Sequence, residues 1–212
     1  RSISWRRVLD VNDRSLRNVV VGLGERLDGV PRETGFDITA ASEVGVALAL
    51  ATSLKDLRER MGRIVIGYDV DGAPVTAEQL GAAGAMTVML RDAINPNLLQ
   101  TLEGTSALVH CGPFGNIATG NSSIMADLAV IEGSDYVITE AGFGSDMGAE
   151  RFVNVKCRLS GLQPDAAVLV VTVRALKAHS GRFRIVPGKP LPPEMLAENV
   201  DDVLAGAQNL RA

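Results

Sequence analysis

Aromatic side chains are scarce in this chain: one Trp, two Tyr and five Phe among 212 residues, 4% in all. A core made with so few of them draws on Val, Leu, Ile and Ala. Cysteine is scarcer still, at two residues, which excludes a disulfide scaffold and fits a reducing compartment. The two histidines, His110 and His179, have no Cys or acidic partners at ligand spacing, so the usual zinc patterns are absent. Basic residues show no excess: 21 Lys and Arg against 25 Asp and Glu give a net charge of −4, which excludes a basic nucleic-acid footprint. No apolar run reaches the roughly 18 residues of a membrane span. There is no G-x-S-x-G elbow and no H-E-x-x-H. There is no G-x-x-x-x-G-K-[ST] phosphate loop either, since Gly188-Lys189 is followed by Pro190.

What is present describes a folded α/β protein. Hydrophobic residues make up 46% and the net charge is small, a combination that disordered chains do not have. Glycine, at 22 of 212, exceeds its usual share of about 7% and points to many tight turns. Five short apolar runs read as strands: 18–23, 63–68, 107–110, 136–139 and 167–173. They are continuous rather than alternating, as in strands covered on both faces. Helical patterns lie between them, over 41–61, a segment from Thr76, one from Asn95-Pro96 to Gly104, then 122–132, 145–158 and 193 onward. Alternating strands and helices predict a mostly parallel sheet flanked by helices. Residues 1–185 are expected to form this central α/β part. Residues 186–212 are read as a linker, with four prolines in the eight residues from Val186 to Pro193, and a C-terminal helix of the same domain. Arg1 opens the chain without Met, and the last helix has no strand after it, so a processed or excised piece is expected.

Three loops could carry chemistry. The first is Tyr136 to Phe152, YVITEAGFGSDMGAERF, a strand running through glycines into a helix. Gly142, Gly144 and Gly148 would let backbone approach a phosphate, with Glu140 and Asp146 beside it. Their G-x-G-x-x-x-G spacing is one residue longer than the dinucleotide fingerprint, and a plain tight connection with solvated acids has the same pattern. The second loop is His110 to Asn121, where Asn116, Thr119, Asn121 and the following Ser122 could donate to an anion or cap a turn. The third, Thr172 to Gly181, gathers Arg174, Lys177 and His179 at the end of an apolar run. That group suits a triphosphate or acyl phosphate, and equally a positive surface turn. Cys111 and Cys157 read as small core residues.

These loops also carry a resemblance. VVTVRALKAHSG at Val170 to Gly181 is similar to V-A-T-[IV]-R-[AS]-L-K-x-[HN]-G-G, a signature of the formate–tetrahydrofolate ligase family, with Val171 in place of Ala and Ser180 in place of Gly. WRRVLDVNDR (5–14), GFDITAASE (35–43), RDAINPNLLQTLE (91–103) and TEAGFGSDMGAERF (139–152) match in the same order. GPFGNIATG (112–120) resembles G-P-F-A-N-I-A-H-G, with Gly115 for Ala and Thr119 for His. The resemblance covers residues 1–185 and is looser beyond Arg182.

The resemblance implies a fold related to P-loop nucleotide-binding proteins and an ATP-dependent ligase of one-carbon metabolism. Formate, ATP with Mg, and tetrahydrofolate are the implied substrates and ions, with a monovalent cation as an activator. A cytoplasmic homo-oligomer without nucleic-acid or membrane partners is implied as well. Phe143 and Arg174 are the expected catalytic residues. Asn116, Thr139, Glu140, Gly142, Gly144, Asp146, Lys177 and His179 are expected around the phosphates and nucleotide, and no metal ligand is assigned. The family's G-E-G-K-[ST] loop is not among these residues, so the chain is expected to be inactive alone. The alternative is a truncated, non-catalytic paralogue or ligand-binding subunit. A nicotinamide-dependent oxidoreductase is disfavoured by the glycine spacing.

Overall fold

The computed structural model describes residues 2–114 and 119–208. The chain divides into two units, residues 1–143 with 148–162, and residues 144–147 with 163–212.

The first unit begins with short strands, β1 (Ser2–Ile3), β2 (Arg7–Val8), β3 (Val19–Val21), β4 (Arg32–Thr34) and β5 (Phe36–Asp37). Two helices follow, α1 (Glu43–Leu50) and α2 (Leu54–Arg63), where the sequence pattern predicts one helix over 41–61. The break has a local cause. The Ser53 hydroxyl accepts the Asp56 amide at 3.1 Å, so a second helix is capped at the point where the apolar stripe runs on. On one face of α2, Leu57 and Met61 are fully buried with Leu48, Ala51, Ile64, Ala77 and Ile94, and Trp5 packs on this core. On its outer face Arg58 makes two hydrogen bonds to the Glu78 carboxylate, at 2.5 and 2.9 Å.

Next come β6 (Val65–Tyr68), β7 (Pro74–Thr76), α3 (Ala83–Met89), β8 (Asn97–Gln100), β9 (Ser106–Val109) and α4 (Ile124–Val130). α5 (Ser145–Arg151) runs into a π turn, Phe152–Cys157, and then α6 (Arg158–Ser160). The second unit contains α7 (Val173–Ala178), α8 (Pro193–Leu196) and α9 (Val200–Gly206). Gly206 is required in α9 because a Cβ there would stand 1.9 Å from the Leu176 carbonyl oxygen on α7. Arg182 pairs with the buried Asp202 at 3.0 Å. The single C-terminal helix expected from Pro193 onward is two, separated where the Asn199 side chain caps α9. Among the described residues no helix is long and apolar enough to cross a membrane.

The expected mostly parallel, P-loop-like sheet is not what forms. The described strands make small sheets: β1-β6-β7, β2-β5, β3-β4 and β8-β9, all antiparallel except β2-β5. The reason lies in the turns. At 69–73 the Asp69 carboxylate accepts the amides of Asp71 and Ala73, folding β7 back on β6. At 101–105 the Thr101 hydroxyl accepts the Thr105 amide and Gly104 takes φ +85°, closing the β8-β9 hairpin where a helix from Asn95-Pro96 is expected. A left-handed glycine ends a helix or closes a hairpin equally well, so Gly104 does not discriminate. The runs at 136–139 and 167–172 form no strand, and Ile138 and Val168 are more than nine-tenths exposed. Apolar continuity marks a segment for burial but does not name its pairing partner.

Candidate functional site

β9 delivers the chain to a cleft of about 530 Å³ in the first unit. Its walls are Leu108 to Phe114, Gly120 to Ser122, and Glu140, Gly142 and Phe143. The first and second loops singled out in the sequence therefore share one cavity.

Backbone contacts join them. Asn121 and Ala141 form an isolated antiparallel bridge, the Gly142 amide donates to the Gly120 carbonyl at 2.8 Å, and Asn121 Nδ2 donates to the Glu140 carbonyl at 3.2 Å. Gly148, where α5 enters this unit, sits so tightly on the loop that a Cβ would be 2.4 Å from the Gly142 carbonyl oxygen. The spacing of Gly142 and Gly148 thus answers first to close backbone approach. Phe143 takes φ +72°, a left-handed conformation that costs a non-glycine residue about 1–2 kcal/mol. The residue is 62% exposed and stands on the cleft wall. A constrained backbone holding an unburied aromatic suits a group that meets a ligand.

A buried polar network supports the floor. His110 Nε2 is 2.6 Å from the Ala93 carbonyl oxygen and Nδ1 is 2.5 Å from Ser123 Oγ. A carbonyl only accepts, so Nε2 carries the proton and the Ser123 hydroxyl donates to Nδ1. Ser123 Oγ also accepts the Ala126 amide at 3.0 Å, capping α4. This link between the loop's first residue and the following helix has no signal in the sequence beyond the Ser cap. Cys111, the next wall residue, takes φ +38°, and burial pushes its thiol up to about 11. It stays protonated near neutrality and is no thiolate nucleophile.

Of the residues singled out from the sequence, Glu140, Gly142 and Phe143 line the cleft, and Thr139 is exposed just before it. Thr119 is buried, its hydroxyl accepting the Asn121 amide at 3.4 Å. Asn116 lies outside the described residues. Gly144 and Asp146 belong to the second unit, where the Asp146 carboxylate accepts the Met147 amide at 2.8 Å. Arg174 and His179, also in that unit, are exposed on α7 and at its C-terminal cap rather than at a strand end. Lys177 is 4% exposed and its ammonium donates to the Ala197 carbonyl. Among the described residues no three His, Cys, Asp or Glu side chains gather as a metal site.

Comparison with known proteins agrees with the loop motifs. The family model "Formate–tetrahydrofolate ligase" matches residues 1–212. The chain is 73% identical over 210 residues to formate–tetrahydrofolate ligase 2 of Rubrobacter xylanophilus, a match covering 99% of this chain and 36% of that protein. It is 71% identical over 210 residues to the formate–tetrahydrofolate ligase of Cutibacterium acnes, covering 99% of this chain and 37% of that one. With the Roseiflexus castenholzii enzyme of the same name, identity is 64% over 211 residues, covering 100% and 37%. The chain therefore spans a little over a third of the length of the curated relatives it matches.

Proposed function

Since this chain belongs to the formate–tetrahydrofolate ligase family, we propose that the protein carrying it joins formate to tetrahydrofolate, with ATP converted to ADP and phosphate. A formate oxygen attacks the γ-phosphorus of ATP, the bond to the β-bridging oxygen breaks, and formyl phosphate and ADP result. N10 of tetrahydrofolate then attacks the formyl carbon, phosphate leaves, and N10 gives up its proton.

The observation that carries this reading is the pinned loop ending at Phe143. Its fixed backbone and exposed aromatic residue offer a flat apolar face at the cleft, as a planar ring system needs. Glu140 is on the same wall, and a carboxylate suits an N–H or amine more than a phosphate. The second unit by itself presents Arg174 and His179 as exposed side-chain donors of the kind that bind phosphate. Lys177 acts there through its bond to the Ala197 carbonyl, holding α7 in place. Among the described residues no three His, Cys, Asp or Glu side chains form a cage, and in this reading magnesium accompanies the nucleotide as its counter-ion.

The test is formation of 10-formyltetrahydrofolate from formate, ATP with magnesium, and tetrahydrofolate by the complete gene product. Product that depends on all three substrates supports the reading. A folded gene product that gives none defeats it and leaves a non-catalytic subunit.

A further inference from the structure

The cleft's two loops are stitched by the contacts of Asn121 and Gly142. A different contact joins the helices that leave those loops. Asp127 lies one turn into α4, four residues beyond the Ser123 cap. Lys156 lies in the π turn of the helix that begins past Phe143. Its Nζ is 2.6 Å from Asp127 Oδ2, with the side chains only 2% and 12% exposed, and the Phe152 ring centroid is 5.5 Å away. Among the described residues Nζ has no aligned hydrogen-bond acceptor.

Such a pair is an expensive way to hold two helices together. Stripping water from two charges costs several kcal/mol each, and apolar residues of the same size often serve stability as well or better. The π turn is itself a rare element, found mostly as a single turn inside an α-helix and often at functional sites. Lys156 lies within that turn, and its side chain is the one paired with Asp127. Apolar packing is tolerant of sliding, whereas a buried ammonium with one carboxylate fixes a single register. The helices so fixed carry the cleft at their leading ends. α4 is bonded to His110 through Ser123, and α5 rests on the Gly142 carbonyl through Gly148.

We propose that Lys156 and Asp127 are positioning residues, which set the register of the 119–123 and 139–142 loops and thereby the placement of Phe143. The catalytic part of this inference rests on the ligase reading; the structural part does not.

The test uses the complete gene product with K156M, D127N and the double variant D127L/K156M. The double leaves no unpaired charge, so it is expected to fold even where a single variant does not. Three quantities are read: the thermal midpoint, hydrogen exchange at the Gly142 amide, and the split of KM against kcat for 10-formyltetrahydrofolate formation. The expected result is a double variant at least as stable as the parent, with Gly142 exchange about tenfold faster and KM for tetrahydrofolate about tenfold higher. Its kcat stays within about twofold of the parent. A double variant that restores exchange and KM along with stability overturns the proposal, since any filling of the space would then suffice. If the parent has no ligase turnover, the functional reading fails by itself. Gly142 exchange then decides: fast in the stable double variant supports the positioning role, and parental overturns it.

Discussion

The amide of Gly142 donates to the carbonyl oxygen of Gly120 at 2.8 Å, and a Cβ on Gly142 would stand 2.6 Å from that same oxygen. The two loops of the cleft touch here, backbone to backbone. Gly142→Ala is therefore expected to force them apart and to destabilise by roughly 1–3 kcal/mol. Gly84, in α3, has open space around its missing side chain and no left-handed conformation. Gly84→Ala is expected to stabilise by about 0.5–1 kcal/mol. Urea unfolding of both variants checks the contrast, and a stable Gly142→Ala variant would remove the close approach as the reason for that glycine.

Ser123 serves two partners with one oxygen, donating to His110 Nδ1 and accepting the Ala126 amide. Ser123→Ala loses the helix cap and leaves a buried imidazole nitrogen unpaired. The expected cost is about 2–3 kcal/mol, read as a lowered denaturation midpoint with an unchanged slope. A loss below about 0.5 kcal/mol would mean that the network contributes little.

The Cys111 thiol titrates near 11 in the folded chain because burial disfavours the thiolate. An unfolded cysteine titrates at about 8.5. The folded group holds its proton more tightly, so this contribution to stability is intact below the unfolded value. It is lost as pH rises through the folded one, between about 8.5 and 11. Stability should fall across that window, and Cys111→Ala should flatten the fall. An unchanged alkaline slope in Cys111→Ala would contradict the assignment.

Lys177 and Arg174 share one short helix but differ in surroundings, the first buried against the Ala197 carbonyl and the second exposed. Lys177→Met is expected to cost about 1.5–3 kcal/mol, because the carbonyl loses a charged donor. Arg174→Ala is expected to change stability by less than about 0.5 kcal/mol while weakening ATP binding in the complete gene product. Equal stability losses in the two variants would contradict this division of roles.

How much of this was legible in the sequence differs by level. The glycine-rich loops and the buried stripe of α2 depend on neighbours close in sequence, and residue type and spacing report such neighbours directly; the Ser53 cap is just as local, but the apolar stripe that runs past it reads as one helix over 41–61. The meeting of 119–123 with 139–142 does not depend on such neighbours, because nothing in either loop names the other. The sheet pairing is illegible for the same reason. Val65–Tyr68 reads as a buried strand, but its partners Ser2–Ile3 and Pro74–Thr76 carry Ser, Pro and Thr and give little strand signal. The apolar run at 167–172 shows the opposite error, with a strong pattern and no pairing partner among the described residues. By charge alone Lys177 groups with Arg174 and His179. Only the fold shows that its ammonium is turned inward to a carbonyl.

The most direct test of the central claim, that the cleft presents Phe143 to a reacting substrate, is the kinetics of Phe143→Ala in the complete gene product. A ring that meets tetrahydrofolate predicts kcat/KM for that substrate lower by at least about tenfold, a loss of about 1.4 kcal/mol, with the thermal midpoint unchanged because the residue is exposed. Parental kcat/KM in a stably folded Phe143→Ala variant would contradict the account and move the site away from this loop.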